Sequence, residues 1–442
     1  MIAAAVLAAA AVAGAPEAPP PAGEVKGADL ELVQNVRAIA ERSARALGAS
    51  APLSLLALRA PEDVRLAEAR RRAERELPAS LAAARGRAWA DLGLGTEDDP
   101  AAIALTLARD LPGMSFDGDR ARLLVDPTRL REDDGTGDPA NNHAASLLLA
   151  TGVAPDEPVV AHYVAHAIAD PSDPAEPLST DRTLARAAMA EGEANLAAML
   201  LLFGGVGLEN EVVGAKIRPE DVLSGRLVSE SLRSDRPVVS RLTDWIYLDG
   251  FASVAALVRQ VGLERLPAER SRRQTTRDVI HLDRPAAVPM EIPTPPGPEA
   301  SGLTLADRDS LGEAGITTWV SLLTGKENLG MIAGDGWAGD ALWRFEAGGT
   351  GITLWETRWV TEDEAKDFAY AVERCLQSRF PGETILGTGD APRSLARSDR
   401  VYRMERRGAA VTVRVAPPEW DRKLDAPAKK KGAPPRAPRP KP

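Results

Sequence analysis

Cysteine, histidine and aromatic residues are all scarce in this chain of 442 residues. The single cysteine, Cys375, excludes an intrachain disulfide, so an oxidising compartment is permitted but its cross-linking chemistry is not used. Aromatic residues make up only 4% of the chain, and the formal net charge is −10. Proteins that bind nucleic acid present basic, often aromatic surfaces, so this composition argues against nucleic acid as a partner.

The N-terminal run MIAAAVLAAAAVAGA, residues 1–15, is apolar but too short to span a bilayer as a stable helix. It ends in Ala13-Gly14-Ala15, the small-residue pattern of a cleavage site. The run therefore predicts a secretory signal peptide and a secreted or periplasmic protein, with no membrane insertion of the mature chain. It lacks the Lys or Arg that usually precedes such an apolar segment. A disordered alanine-rich tail is the alternative.

The stretch from Glu157 to Asp170 is apolar enough for a buried helix, yet it carries two of the chain's four histidines. His162 and His166 are four residues apart, which places both imidazoles on one helix face, one turn apart. Metallopeptidases with an H-E-x-x-H motif present two zinc ligands in this way, with the glutamate as general base. Tyr163 stands at the glutamate position here. Two helix histidines without a ligand role are the alternative.

A second apolar helix is expected from Asp181 to Phe203, and it contains two carboxylates. Glu191 and Glu193 lie among Ala, Met and Leu residues. A carboxylate on a mostly apolar helix needs a partner, and a metal ion is one such partner. Either glutamate would complete a His₂Glu zinc site, and helical periodicity alone does not separate the two.

Four segments together resemble secreted bacterial proteins of the gluzincin type, a family of predicted metallopeptidases. The family pattern reads roughly HELTHALQDQ, then EGDA, then STEQVLHPEKY, then GWGGD. This chain has HYVAHAIADP at 162–171, EGEAN at 191–195, TTRDVIHLDR at 275–284 and GWAGD at 336–340, in the same order. The resemblance covers nearly the whole chain after the signal peptide, and it implies a gluzincin-like fold with zinc as cofactor.

The resemblance also implies roles for single residues. Glu191 matches the first glutamate of EGDA and becomes the third zinc ligand. Asp170 closes the HALQD-like segment and is an outer-shell candidate, since metal-binding histidines commonly donate their second N–H to a carboxylate. His281 would steady an oxyanion by donating a hydrogen bond, or else be a structural histidine. The segments beside it, Arg277-Asp278 and Leu282-Asp283, depart from the family pattern.

Helical periodicity over most of the chain and alternating strands near its end predict an α+β fold that is mostly helical. A proline-rich segment between the two patterns indicates a domain boundary. The expected organisation is a signal peptide at 1–15, a linker at 16–27, a helical gluzincin-like metallopeptidase domain at 28–284, a Pro-rich linker at 285–302, a small α+β domain at 303–416, and a disordered basic Pro-rich tail at 417–442.

Individual elements follow from the same patterns. The expected helices span 29–47, 62–93, 157–170, 181–203, 245–263, 311–324 and 362–380. The expected strands lie at 341–347 and 352–360, followed by a hairpin at 401–415. A further hairpin is expected at 115–126, which the resemblance places beside the ligand helix. Four of the eight tryptophans fall in or near the C-terminal strands, where packing in the core is favoured over a ligand platform.

The last seventeen residues, from Ala426 to Pro442, contain six Lys or Arg residues and no acid. Proline at this density prevents a packed structure. We expect this basic tail to contact anionic polymers of the cell envelope; a merely solubilising tail is the alternative.

The missing general base decides the predicted activity. In an H-E-x-x-H hydrolase the glutamate takes a proton from zinc-bound water and returns it to the leaving amine. A neutral tyrosine, with an unperturbed pKa of about 10, donates a proton and does not accept one. The sequence therefore predicts an impaired peptidase that retains zinc and takes a peptide or protein ligand. The alternatives are a binding or scaffold module without metal, and an active peptidase with a rearranged base such as Glu193.

Overall fold

The fold is α+β and mostly helical, as the sequence predicts. A computed structural model describes residues 27–47, 56–59, 62–109, 114–117, 122–125, 157–169, 177–202, 234–286, 288–387 and 391–425. The predicted signal peptide, the outer-shell candidate Asp170 and the basic tail from Ala426 onward lie outside the described residues, so each of them stays a prediction.

Helices α5 (Glu157–Ala169) and α6 (Thr180–Leu202) form the centre of the helical part. From Val160 to Ala165 and from Glu191 to Leu200 every residue is buried, because both segments are mostly Ala, Leu, Val and Met. The helical part contains further elements. In chain order these are α1 (Gly27–Ala46), α2 (Glu62–Glu76), α3 (Ala79–Leu92), α4 (Asp99–Arg109), α7 (Pro237–Asp244), a short π-helix (Trp245–Asp249), α8 (Gly250–Val261), a short 3₁₀ helix (Leu263–Arg265), α9 (Leu266–Arg272) and α10 (Thr276–Ile280).

A small sheet lies beside α5. Strand β3 (Arg122–Val125) is central, with β2 (Met114–Asp117) antiparallel on one side and β1 (Leu56–Arg59) parallel on the other. The β2–β3 pair confirms the predicted hairpin, and β2 contacts α5. Strand β1 is only four residues long, so the sequence pattern offered too little alternation to predict it.

The C-terminal part is a six-stranded antiparallel sheet covered by helices, with strand order β4-β5-β6-β9-β8-β7. Its strands are β4 (Thr304–Asp309), β5 (Trp337–Ala347), β6 (Thr350–Trp359), β7 (Arg393–Ala396), β8 (Val401–Arg407) and β9 (Ala410–Ala416). Its helices are α11 (Pro296–Ala300), α12 (Gly312–Thr324), α13 (Glu327–Gly334), α14 (Glu362–Arg379) and α15 (Pro418–Asp425). The predicted strands and the two predicted helices are present, and α14 begins with a capping box of Thr361 and Glu364.

The tryptophans of this sheet belong to its core, as predicted. Trp337, Trp343, Trp355 and Trp359 are each at most 2% exposed. Asp340 accepts hydrogen bonds from the indole N–H groups of Trp337 and Trp355, at 3.0 and 2.9 Å. Its carboxylate also accepts the backbone N–H groups of residues 311 and 312, at 2.9 and 3.1 Å. The aspartate of GWAGD therefore orients two core indoles and caps the start of α12.

Two elements differ from the sequence prediction. The helix expected over residues 62–93 is two helices, α2 and α3, separated at Leu77 and Pro78. Proline lacks the N–H that a helix interior needs and disfavours helical geometry in the preceding residue, so the break occurs there. Residues 418–425, which the sequence placed in the basic tail, form α15. Asp421 of α15 accepts hydrogen bonds from Arg403 and Arg414, at 3.0 and 2.6 Å, which fixes this helix against the sheet.

The Pro-rich segment 285–302 does not separate two cores. One cluster of buried side chains joins Trp89 of α3 and Leu184 of α6 with Trp319 of α12 and Trp355 of β6. Within the segment itself Ile292 is 2% exposed and packs against the sheet. Apolar packing is thus continuous across the segment. The predicted division into domains stays a prediction.

A buried ion-pair cluster of Arg85, Asp307 and Asp309 also links the helical part to strand β4. The guanidinium of Arg85, on α3, lies 3.2 Å from Asp307 and 3.5 Å from Asp309, and all three side chains are at most 5% exposed. Asp309 in turn accepts the backbone N–H and the hydroxyl of Thr180, at 2.6 and 2.7 Å, at the first turn of α6. These contacts anchor the first turn of α6 to the C-terminal sheet.

Within the described segments, no single helix is both long enough and apolar enough to cross a membrane. By length and composition, the bent pair Pro237–Val261 and Leu263–Arg272 meets the requirement only when its two parts are taken together.

Candidate metal site

Helices α5 and α6 approach closely because alanine faces alanine between them. Ala165 of α5 packs on Ala194 and Ala197 of α6, and all three are at most 1% exposed. On its other side α6 touches α8 through glycines: a Cβ at Gly192 would lie 2.5 Å from the carbonyl oxygen of Gly250. Close packing on both sides fixes the rotation of α6 and directs Glu191 toward the histidines of α5.

The three predicted ligands converge. Nε2 of His162 and Nε2 of His166 are 3.2 Å apart. A carboxylate oxygen of Glu191 lies 3.3 Å from Nε2 of His162, and its other oxygen lies 3.6 Å from Nε2 of His166. Two donors that each lie about 2.0–2.2 Å from zinc in a tetrahedron are about 3.3–3.6 Å apart. The spacing of these atoms therefore fits a His₂Glu site.

Asn195 is a further residue of the site that the sequence argument did not assign. Its side-chain oxygen lies 3.2 Å from Nδ1 of His162 and accepts a hydrogen bond from it. With the proton on Nδ1, the lone pair of His162 is on Nε2, where a metal would bind. Asn195 is four residues after Glu191, so both side chains lie on one face of α6, and this spacing is the signal that could have found it.

The site is buried, and burial shapes its electrostatics. Burial lowers the pKa of His162, against the opposing effect of Glu191. Burial alone would raise the pKa of Glu191, but the charges and hydrogen bonds of His166 and His162 outweigh it and bring that pKa well below its usual range. A carboxylate that stays ionised at the base of a buried site beside two imidazole nitrogens is suited to hold a cation.

Tyr163 lies beside the cluster, whereas Glu193 does not. The ring of Tyr163 is fully buried, with its centroid 5.1 Å from that of His162 and 6.0 Å from that of His166. Glu193 points away from the cluster: its carboxylate accepts a hydrogen bond of 2.5 Å from Arg270, on α9. The geometry thus distinguishes Glu191 from Glu193, which helical periodicity did not.

A small cavity of about 50 Å³ opens beside the cluster. It has room for a water molecule or the end of a side chain. His166 and Glu191 form part of its wall, and α2 contributes Arg72 and Glu76, whose side chains are 3.2 Å apart. Among the described residues, this cavity connects the cluster with the surface between α2 and α6.

His281 belongs to a different cluster. It lies just after α10, and its Nε2 is 2.8 Å from the carboxylate of Glu313, on α12, and 3.9 Å from that of Asp335. Burial and then the charge of Asp335 raise the pKa of Glu313 to about 8. The structure brings together His162, His166 and Glu191, and places His281 in a second group with these two acids. Its predicted oxyanion role stays a prediction.

Comparison with known proteins covers only the C-terminal part of the chain. A family model described as "Domain of unknown function (DUF8575)" matches residues 303–425. The match includes the six-stranded sheet and α12 to α15, and it contains none of the residues of the His₂Glu cluster. No curated protein and no solved structure matches this chain.

Proposed function

We propose that this chain is a zinc-binding homologue of metallopeptidases whose hydrolytic activity is impaired. In this proposal His162, His166 and Glu191 hold the metal, and Tyr163 replaces the general base. A secreted or periplasmic location and a peptide or protein ligand belong to the same proposal. The gluzincin-like sequence pattern supports the peptidase ancestry, and the N-terminal apolar run supports export.

One observation carries the metal-binding part of the proposal. Two imidazole nitrogens and a carboxylate meet in a buried site at separations of 3.2, 3.3 and 3.6 Å. Without a cation, an ionised carboxylate buried at this depth would depend on a proton shared among the histidines, and such burial is costly. A divalent cation would satisfy all three donors at once.

The impairment follows from what Tyr163 can do. Bound zinc would polarise a water molecule or a carbonyl group. Hydrolysis also needs a side chain that accepts a proton from the attacking water and delivers it to the leaving amine. A phenol is a proton donor at neutral pH, and the ring of Tyr163 is enclosed beside both histidines. Glu193 does not supply the missing base, because it is paired with Arg270.

Metal content of purified protein tests the proposal. The full chain, prepared without a polyhistidine tag, is equilibrated with zinc, freed of excess, and analysed by mass spectrometry for bound metal. Glu191→Gln keeps the shape of the side chain but loses its charge, so we expect this variant to bind one zinc equivalent fewer than the unmodified chain.

Glu193→Gln is the matched control, because Glu193 is similarly buried two residues along the same helix but faces Arg270. It should bind as much zinc as the unmodified chain. Equal zinc content in all three proteins would contradict the proposal and favour a scaffold module without metal at this site.

A further inference from the structure

A second group of potential ligands lies about His281, outside the His₂Glu cluster. Three segments contribute to it: His281 follows α10, Glu313 lies in the first turn of α12, and Asp335 directly follows α13. One ligand atom from each residue lies within 4.8 Å of the others. Convergence of an imidazole and two carboxylates from three separate segments is a donor set suited to a transition-metal cation.

Glu313 supplies a second, independent observation. Its side chain is 5% exposed. One of its oxygens contacts His281, while Oε2 is buried and has no hydrogen-bond partner among the described residues. A buried carboxylate oxygen without a partner is costly unless a cation or another donor satisfies it.

Positive side chains compete for the same carboxylates. Arg284 lies 3.3 Å from Asp335, and the charges of Arg284 and Arg277 also act on Glu313. Arg284 is 40% exposed and Asp335 is 55% exposed, so their ion pair is well solvated and contributes little. A cation that binds Glu313 and His281 can therefore displace Arg284 toward solvent.

The second group is separate from the His₂Glu cluster. The charge of Asp181, in the first turn of α6, helps to raise the pKa of Glu313, so the second group lies near the start of that helix. Glu191 lies ten residues further along the same helix, which corresponds to about 15 Å of helical rise. Paired catalytic metals are about 3.5–4 Å apart, so the two groups do not form one binuclear centre.

From these observations we infer that His281, Glu313 and Asp335 form a second binding site for a divalent transition-metal ion. The site joins the end of the helical part to α12 and α13 of the C-terminal part. Because one ligand is half-exposed, it binds and releases metal more readily than the enclosed His₂Glu cluster.

The test removes the histidines of the His₂Glu cluster and measures the zinc binding that the rest of the chain retains. The untagged full chain carrying His162→Gln and His166→Gln is titrated with zinc by isothermal calorimetry. One equivalent is expected to bind. Adding His281→Gln or Glu313→Gln should abolish this binding, whereas Asp283→Asn, which removes an exposed acid from the same stretch, should leave it unchanged. Circular dichroism checks that each variant is folded.

Arg284→Ala distinguishes a cation site from a structural ion-pair network. Loss of the competing guanidinium should tighten zinc binding about twofold to fivefold in the same background, with no loss of fold. The inference is overturned if the His162/His166 double variant binds no zinc, or if it binds zinc equally well with and without His281. Either result leaves the His₂Glu proposal standing, since that site is absent from every protein in this titration.

Discussion

Tyr163→Glu should raise zinc-dependent peptidase activity by about 10²-fold, the low end of the 10²–10⁴ range for general acid–base catalysis. The new carboxylate would lie between the two histidines on α5, on the side of the cluster now occupied by the tyrosine ring. It could accept the proton of the attacking water, which the phenol cannot do. We expect only partial recovery because His281, the oxyanion donor that the resemblance implies, lies with Glu313 and Asp335 and not with the His₂Glu cluster.

Two controls test whether the gain in activity comes from the new carboxylate acting with the bound metal. Tyr163→Gln has nearly the size and shape of the glutamate but cannot accept a proton, so it should stay at the unmodified level on a generic fluorogenic peptide. His166→Ala added to Tyr163→Glu should abolish the gain. If the unmodified chain already hydrolyses peptides as fast as Tyr163→Glu, then Tyr163 does not disable the site.

Arg85→Met should destabilise the fold by about 3–5 kcal/mol, because it removes the positive partner of two buried carboxylates. Asp307 and Asp309 would remain buried next to each other with no guanidinium between them. Arg85 also donates a hydrogen bond of 3.3 Å to the carbonyl of Leu178, just before α6. The change in the free energy of unfolding can be measured by urea denaturation followed by circular dichroism.

Arg87→Met is the matched control, two residues along the same helix. Arg87 pairs with Glu346, but both side chains are about a third exposed, at 32% and 30%. Exposed pairs contribute about 0–1 kcal/mol, so this variant should unfold almost as the unmodified chain does. Equal destabilisation by the two variants would show that the buried ion pairs of Arg85 contribute no more to stability than the exposed pair of Arg87.

Local features of the fold were predictable from the sequence. The helix that carries His162 and His166 follows from a continuous apolar run, and the spacing of four places both rings on one face. The C-terminal strands follow from alternating residues around Trp343 and Trp355. In each case the signal lies within one element, so no knowledge of tertiary contacts was needed.

Features that depend on contacts between distant segments were not predictable in the same way. Nothing near Glu313 in the sequence indicates that it would meet His281, 32 residues earlier. The contact of Gly192 with Gly250 decides the direction of Glu191, yet an isolated glycine in a helix has several explanations. Pro78 is the exception: a local breaker signal was present, and it predicts the observed division between α2 and α3.

Anomalous diffraction at the zinc edge, from crystals of the zinc-loaded full chain, tests the central claim most directly. The account predicts a peak about 2.0–2.2 Å from Nε2 of His162, Nε2 of His166 and a carboxylate oxygen of Glu191. A map of zinc-loaded protein with no peak among these three residues would contradict it, whatever density appears beside His281.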